Sequence, residues 1–328
     1  IGENALFAAD AASGAGISRV DFVGYYDDFD VDGDGVFTDW QQSYHRLRGD
    51  SSMTIRNHLG TSTASPYMVT WDNAWVPDQS PGGMEVVARI RDSSGLWFVT
   101  GRVTGLTLSR PGINVEMYLP DNVPDKFWVR AGQTKSSYFV IPAGHDLALA
   151  ESARIHAATW NGISGQAEPG EDHWTQVNGW TTPGFGENHF FSFDRIGVPV
   201  DVLQNGTNTV TFFSGSSHHG NEVLWPGPGM IVRYVDYSDV PASIITQPSD
   251  LFALEGSTAT FGVVAVGADP LDYQWERNGV QIPGATSADY TTPPLSASED
   301  GDFFRCVVSN GLGVDVSDEA VLNVLVPG

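Results

Sequence analysis

The sequence predicts an all-β protein built from sandwich modules, and three observations predict it. Helical periodicity is nearly absent. Short runs rich in Val, Ile, Phe and Thr recur along the chain, the composition of strands that pack one face. Asn-Gly pairs punctuate those runs at 161, 178, 205, 278 and 310, and such pairs supply the positive φ angles of tight hairpin turns. Many short strands joined by tight turns bury their apolar faces as two packed sheets. One stretch departs from the pattern: "HDLALAESARIHAATW" (145–160) spaces its apolar residues irregularly and reads as a short helix running into a strand.

The chain has 328 residues, too many for one ordinary core and suited to two or three. Residues 1–17, "IGENALFAADAASGAGI", lack a basic start and an apolar signal core, and we read them as the cut end of a longer or processed protein whose other domains are expected neighbours. No apolar run approaches the ~18 residues a spanning helix needs, so no membrane insertion is expected. Forty acidic residues face 16 basic ones, for a net charge of −24, and Lys126 and Lys135 are the lysines. Such a surface repels phosphate backbones and anionic lipids, which removes nucleic acid from the expected partners. It suits a neutral ligand, a cation, or a salty exterior where screening shortens the reach of repulsion. Strong acidity also marks disordered chains, but 10 Trp among 11% aromatics argue for packed cores. A single cysteine, Cys306, rules out an internal disulfide framework.

Two seams divide the chain. "YSDVPASIITQPSD" (237–250) is rich in Pro, Ser and Asp, and "LSRPG" (108–112) ends a strand-like run. The expected organisation is an end segment 1–17, a module 18–109, a module 110–236, a linker 237–243 and a C-terminal module 244–328.

The C-terminal module carries "ATFGVVAVG", "YQWERNG" and "SEDGDFFRCVVSNGLG", and with them resembles a bacterial immunoglobulin-like (Ig-like) domain. The resemblance places Trp275 at the core-Trp position, Cys306 and Val263 at the two cysteine positions, and Phe304 at the corner-Tyr position. It implies an apolar contact in place of the disulfide, loss of the corner hydroxyl, and a spacer role. Residues 18–109 carry "TASPYMVTWDNAWVPDQ" and "EVVARIRDSSGLWFVTGRVTGLTL" and look like another Ig-like module, with Trp71, Val86, Ala88 and Ile90 as core. That module departs from the pattern by the insertion "DDFDVDGDGVFTDWQQSYHRLRGD". Residues 110–236, with "ARIHAATWNG", "WTQVNGW", "FSFDRIGVPVDVLQNGTNTVTF" and "PGMIVRYV", are similar to the galactose-binding-like jelly-roll sandwich, a resemblance that implies sugar binding or packing against a catalytic domain.

The insertion contains the chain's most specific motif. Asp30, Asp32 and Asp34 alternate before Gly35, the start of an EF-hand-like calcium loop. Alternate carboxylates on a tightly turning loop converge on a hard cation at ~2.3–2.6 Å, and the backbone carbonyl of Val36 is the next ligand. Gln41 stands where an EF-hand has its bidentate Glu, so Asp39 is the candidate to close the shell. We therefore expect a structural Ca2+ held by Asp30, Asp32, Asp34, Val36 and Asp39, outside an EF-hand fold; the competing reading is a solvated acidic turn.

Trp128, Trp160, Trp174, Trp180 and Trp225 all fall in the middle module. "EDHWTQVNGWTTPGFGENHFF" (171–191) is aromatic and Gly-rich. Aromatic faces there suit stacking on sugar C–H groups, with polar neighbours bonding the hydroxyls. Trp174, Trp180, Phe185 and His189 are the candidates, against the competing reading that they are core. In "SSHHGNEVLWPGPG" (216–229), His218, His219, Glu222 and Trp225 stand together. Adjacent histidines on a strand face opposite ways, so a contribution to a sugar groove is favoured over a metal or catalytic site. "EVLWPGPGMIV" reads as a turn between two strands.

The sequence contains no G-x-S-x-G, P-loop, strand-borne G-x-G-x-x-G or C-x-x-C. Arg56 with His58, and His45 with Arg46, are further polar pairs whose default is a satisfied contact. The expected function is non-catalytic binding of a polysaccharide or oligosaccharide, calcium-stabilised, in an extracellular or cell-surface segment of a bacterial, marine, polysaccharide-degrading or adhesive protein. The alternatives are a polysaccharide lyase or glycoside hydrolase with a cleft between the first two modules, and a structural spacer or adhesin. His, Tyr, Arg and paired carboxylates on one concave face would favour the enzyme; an aromatic strip would favour binding.

Overall fold

The computed structural model describes residues 2–29, 42–45, 52–55, 57–163, 172–187, 190–217, 220–224 and 226–326. Strands account for nearly all regular structure among them, and the helical elements are short 3-10 turns at Leu147–Leu149, Val200–Val202 and Ala297–Glu299. The first of these runs directly into the strand Ala150–Trp160, the helix-to-strand transition expected for 145–160. No helix among the described residues is long and apolar enough to cross a membrane. The chain divides into two compact units, Ile1–Ser109 with Asn114–Val235, and Arg110–Ile113 with Asp236–Gly328.

The first unit holds two sandwiches. In one, His58–Ser62, Ile17–Tyr25, Met84–Asp92 and Trp97–Val99 pair in that order, all antiparallel. They cover the hairpin-like pair of Asn4–Ala9 with Tyr67–Asp72. Val20, Phe22, Leu59, Trp71, Met84 and Val86 form the core between them, and Ile90 packs at its margin. The end segment 1–17 contributes to this sandwich. Asn4–Ala9 is a paired strand, Ala5 is in the core, and Glu3 is ion-paired with Arg233. The alternation in "NALFAA" was too short to weigh against the bland residues around it. Within the insertion, Gln42–His45 pairs with Ser52–Ile55; the aspartate-loop residues Asp30, Asp32, Asp34, Val36 and Asp39 lie outside the described residues, as do Arg46 and Arg56.

In the other sandwich, one sheet runs Ile113–Tyr118, Gly229–Val235, Ala150–Trp160, Asn221–Val223, Trp128–Val129, with Phe191–Val198 also paired to Ala150–Trp160. The facing sheet runs Gln133–Ile141, Gly206–Ser214, His173–Val177, Trp180–Thr181. Alternate residues from both sheets make one core: Phe139, Ile141, Val210 and Phe212 meet Ile155, Ala157, Met230 and Val232. The "EVLWPGPGMIV" segment does join two strands, Asn221–Val223 and Gly229–Val235.

The second unit is an Ig-like sandwich. Leu251–Leu254 pairs in parallel with Ala320–Leu325, which leads through Phe303–Ser309 to Asp272–Arg277 and Val280–Gln281. Trp275 sits opposite Cys306 in the register, and both are fully buried with Val263 in the same core. Phe304 stacks on Phe261 at 4.4 Å between ring centroids, so an aromatic stack occupies the corner-Tyr position. Cys306 is a free thiol, and burial pushes its pKa up to about 11. The residues from Asp236 onward cluster with this unit.

Candidate functional site

Two surfaces of the first unit gather chemistry, and both trace back to strand alternation. On the strand Gly206–Ser214, Asn208, Val210, Phe212 and Ser214 are buried, which turns Thr207, Thr209, Thr211 and Phe213 outward. His173–Val177 pairs with it so that Trp174 lies opposite Phe213 and Gln176 opposite Thr211. The Trp174 and Phe213 rings stack at 4.9 Å with an interplanar angle of 12°, and both are half-buried. Hydroxyls and an amide adjoin the pair. Ser136 and Thr211 share a 2.8 Å hydrogen bond, and the Gln176 amide donates to Thr181 Oγ1 at 3.0 Å. Tyr138, on the same face, is exposed.

Trp180 belongs to the opposite face. The turn at Asn178 and Gly179 has φ of 50° and 88°, the two-residue hairpin geometry that sets residues 177 and 180 directly opposite. Val177 is fully buried, so Trp180 packs against the core, and Phe185 joins it with its ring 6.4 Å from Phe212. The platform role expected for Trp180 and Phe185 is therefore corrected to core packing. Glu222 faces outward between Trp128 and Trp160 in the cross-strand row of the other sheet. His189, His218, His219 and Trp225 lie outside the described residues. Phe213, Thr211 and Ser136 were missed in the sequence, although the alternation of "TNTVTFFS" (207–214) marks Thr211 and Phe213.

The second surface is a cavity of about 330 Å³. The Ala150–Trp160 strand buries Ile155 and Ala157 in the core, which aims Arg154 and His156 outward. Arg195 is the cross-strand partner of His156. Against this wall the first sandwich places Tyr26, Asp28, Asn57, His58, Asp72 and Trp75. The Arg154 guanidinium lies over the Trp75 ring, 3.7 Å from its centroid. His156 is 3% exposed, and among the described residues neither ring nitrogen has a hydrogen-bond partner. Burial, reinforced by Arg195 and Arg154, drives its pKa down to about 3, so the ring is neutral at neutral pH. Burial also lowers the Arg154 pKa, with Arg195 adding to the shift and Asp72 opposing it. Tyr26 is buried, and its phenol is pushed well above its ordinary pKa by desolvation and then Asp28. His58 turns to Thr61, 2.9 Å away, with Asp21 at 3.8 Å. Among the described residues no three His, Cys, Asp or Glu side chains converge as a metal-ligand set.

No family model matches the chain. Over 127 residues it is 36% identical to the decoration protein of Escherichia phage T5, a match spanning 34% of this chain and 73% of that protein. The chain belongs to the decoration-protein family. The family match leaves most of this decoration-family chain uncovered. Over 96 residues, 26% of its length, the chain is also 30% identical to the tyrosine-protein phosphatase Lar of Drosophila melanogaster, of whose length it spans 5%. Among solved structures it is similar to the titin M10–obscurin-like 1 Ig complex, at 20% identity over 27% of this chain and 97% of that one with a TM-score of 0.25. The tandem Ig repeats of Dlar match at 14% identity over 65% of this chain and 98% of that one, with a TM-score of 0.24.

Proposed function

We propose that this chain is a non-catalytic surface-binding protein that attaches to a larger assembly and holds carbohydrate on its middle sandwich, a module of galactose-binding-like type. The observation that carries the reading is the half-exposed Trp174–Phe213 stack set among Ser136, Thr211, Gln176 and Thr181. A flat aromatic pair offers a face to the C–H side of a pyranose while flanking hydroxyls and amides bond its oxygens. The name of the T5 relative supports attachment to an assembly. The acidic surface favours an exterior setting, outside the cell or at its surface, and an uncharged polymer on this face.

The test is a glycan array on the whole chain, paired with reducing-sugar and unsaturated-product assays on each hit. Binding without product supports the reading, and turnover overturns it. Trp174→Ala is expected to weaken the best hit at least tenfold, about 1.4 kcal/mol, while unfolding curves stay near the parent's. Unchanged affinity would remove the sheet face as the site.

Calcium belongs to the same reading. Asp30, Asp32, Asp34, Val36 and Asp39 hold a structural ion because crowded carboxylates repel one another without one. EDTA is expected to lower the unfolding temperature of the chain, and added Ca2+ to restore it; an unchanged melting curve would leave the loop a solvated turn.

A second reading, a lyase or glycoside hydrolase, draws on the cavity, where Tyr26, His58, Asp28 and Asp72 face His156, Arg154 and Arg195. The pKa shifts there speak against it: a His held near 3 is a feeble base at neutral pH, and a Tyr pushed upward is a poor one.

A further inference from the structure

The cavity combines a neutral imidazole with two guanidinium groups, and that combination has its own ligand logic. Arg154 and Arg195 project from neighbouring strands beside His156. Among the described residues neither guanidinium forms an ion pair; Arg154 lies against the Trp75 ring and Arg195 near the Phe193 ring. The carboxylates of Asp28 and Asp72 line the same cavity. His156 offers one donor and one acceptor in its neutral form. Leaving both without a partner in a buried site is unfavourable, and a ligand hydroxyl relieves it at one ring nitrogen, by donating to it or accepting from it. The volume, about 330 Å³, falls at the small end of ligand pockets.

We propose that this cavity binds a hydroxylated anion of single-sugar size, a uronate in chemical class, with Arg154 and Arg195 meeting its carboxylate and His156 meeting a ring hydroxyl. Planar guanidinium groups match a carboxylate in geometry as well as charge. The site is built on the sheet opposite to the one bearing Trp174, so it stands whether or not the sheet face binds carbohydrate.

Isothermal titration of the full chain with D-glucuronate and D-galacturonate, against D-glucose and inorganic sulfate, tests it. At least one uronate is expected to bind tenfold or more tighter than both controls. Sulfate binding as tightly as the uronates would overturn the hydroxyl contact, and no uronate binding would overturn the site. Arg195→Met is expected to cost tenfold or more in uronate affinity. His156→Phe keeps an aromatic ring and removes the orphaned nitrogens; with its unfolding curve showing a folded protein, it is expected to cost at least threefold. Trp174→Ala is expected to leave uronate affinity unchanged. Uronate affinity that survives both cavity substitutions, or that is lost in Trp174→Ala, would place the ligand elsewhere and overturn the proposal.

Discussion

Between pH 6.5 and pH 3 the first unit is expected to lose about 5 kcal/mol of stability through His156, at about 1.4 kcal/mol for each pH unit. The unfolded chain protonates this imidazole near 6.5, whereas the folded chain resists until about 3. Across that window the unfolded state binds the extra proton, so stability is fully present above 6.5 and falls as the solution is acidified. The cause is burial first, then the positive charges of Arg195 and Arg154. Equilibrium urea unfolding followed at several pH values, for the parent and for His156→Phe, isolates the effect. Asp28 and Asp72 line the same cavity and cancel in the comparison because both proteins retain them. The parent should be steeper than the variant by most of that slope between pH 6 and 4. At pH 7 the variant should equal or exceed the parent, since it removes two buried nitrogens that have no partner among the described residues. Parallel pH profiles would mean that the imidazole reaches solvent in solution.

Trp275→Ala is expected to cost the Ig-like unit about 3–5 kcal/mol, the range for emptying a large aromatic site in a core. The indole is fully buried, lies 6.2 Å from the Phe261 ring and 6.4 Å from the Tyr290 ring, and donates from Nε1 to the Ser287 carbonyl at 3.0 Å. No disulfide shares the burden, because Cys306 is a free thiol. A domain of this size holds about 5–15 kcal/mol in all and shifts its Tm by about 4–8 °C per kcal/mol. Differential scanning calorimetry should therefore show the transition of the Ig-like unit moving down by tens of degrees while that of the first unit stays in place. Trp275→Phe, which keeps a ring but loses the hydrogen bond, should fall between the two. A shift of only a few degrees in Trp275→Ala would show that the core collapses around the gap.

The Trp174 and Trp180 pair shows how far local pattern reached. Both were plausible platforms by composition. The Asn178-Gly179 turn implies that 177 and 180 stand opposite each other, and Val177 is apolar, so Trp180 belonged to the inner face by parity alone. The same parity turns Trp174 outward. "WTQVNGW" carries that parity in its register, whereas composition alone does not separate the two indoles. Phe213 was equally legible from the threonines that alternate around it.

The cavity was not legible in this way. His58 was noted beside Arg56, but His156, Arg154 and Arg195 gave no sequence signal. "ARIHAATW" reads simply as a strand with polar residues on one side.

By itself, the sequence determined the all-β class, the hairpin turns, the core positions of Trp71 and Trp275 and the replacement of a disulfide by Cys306 with Val263. The class and the turns follow from side-chain period and turn chemistry, which act over a few residues; the positions of Trp71, Trp275, Cys306 and Val263 are what the Ig-like resemblance implies. Only the tertiary structure decided that the outer face of the Ala150–Trp160 strand meets Tyr26, Asp28 and Trp75. Alternation tells which way a side chain points but not what comes to cover it; the covering elements lie more than 70 residues away, and their arrival is what buries His156 and moves its pKa.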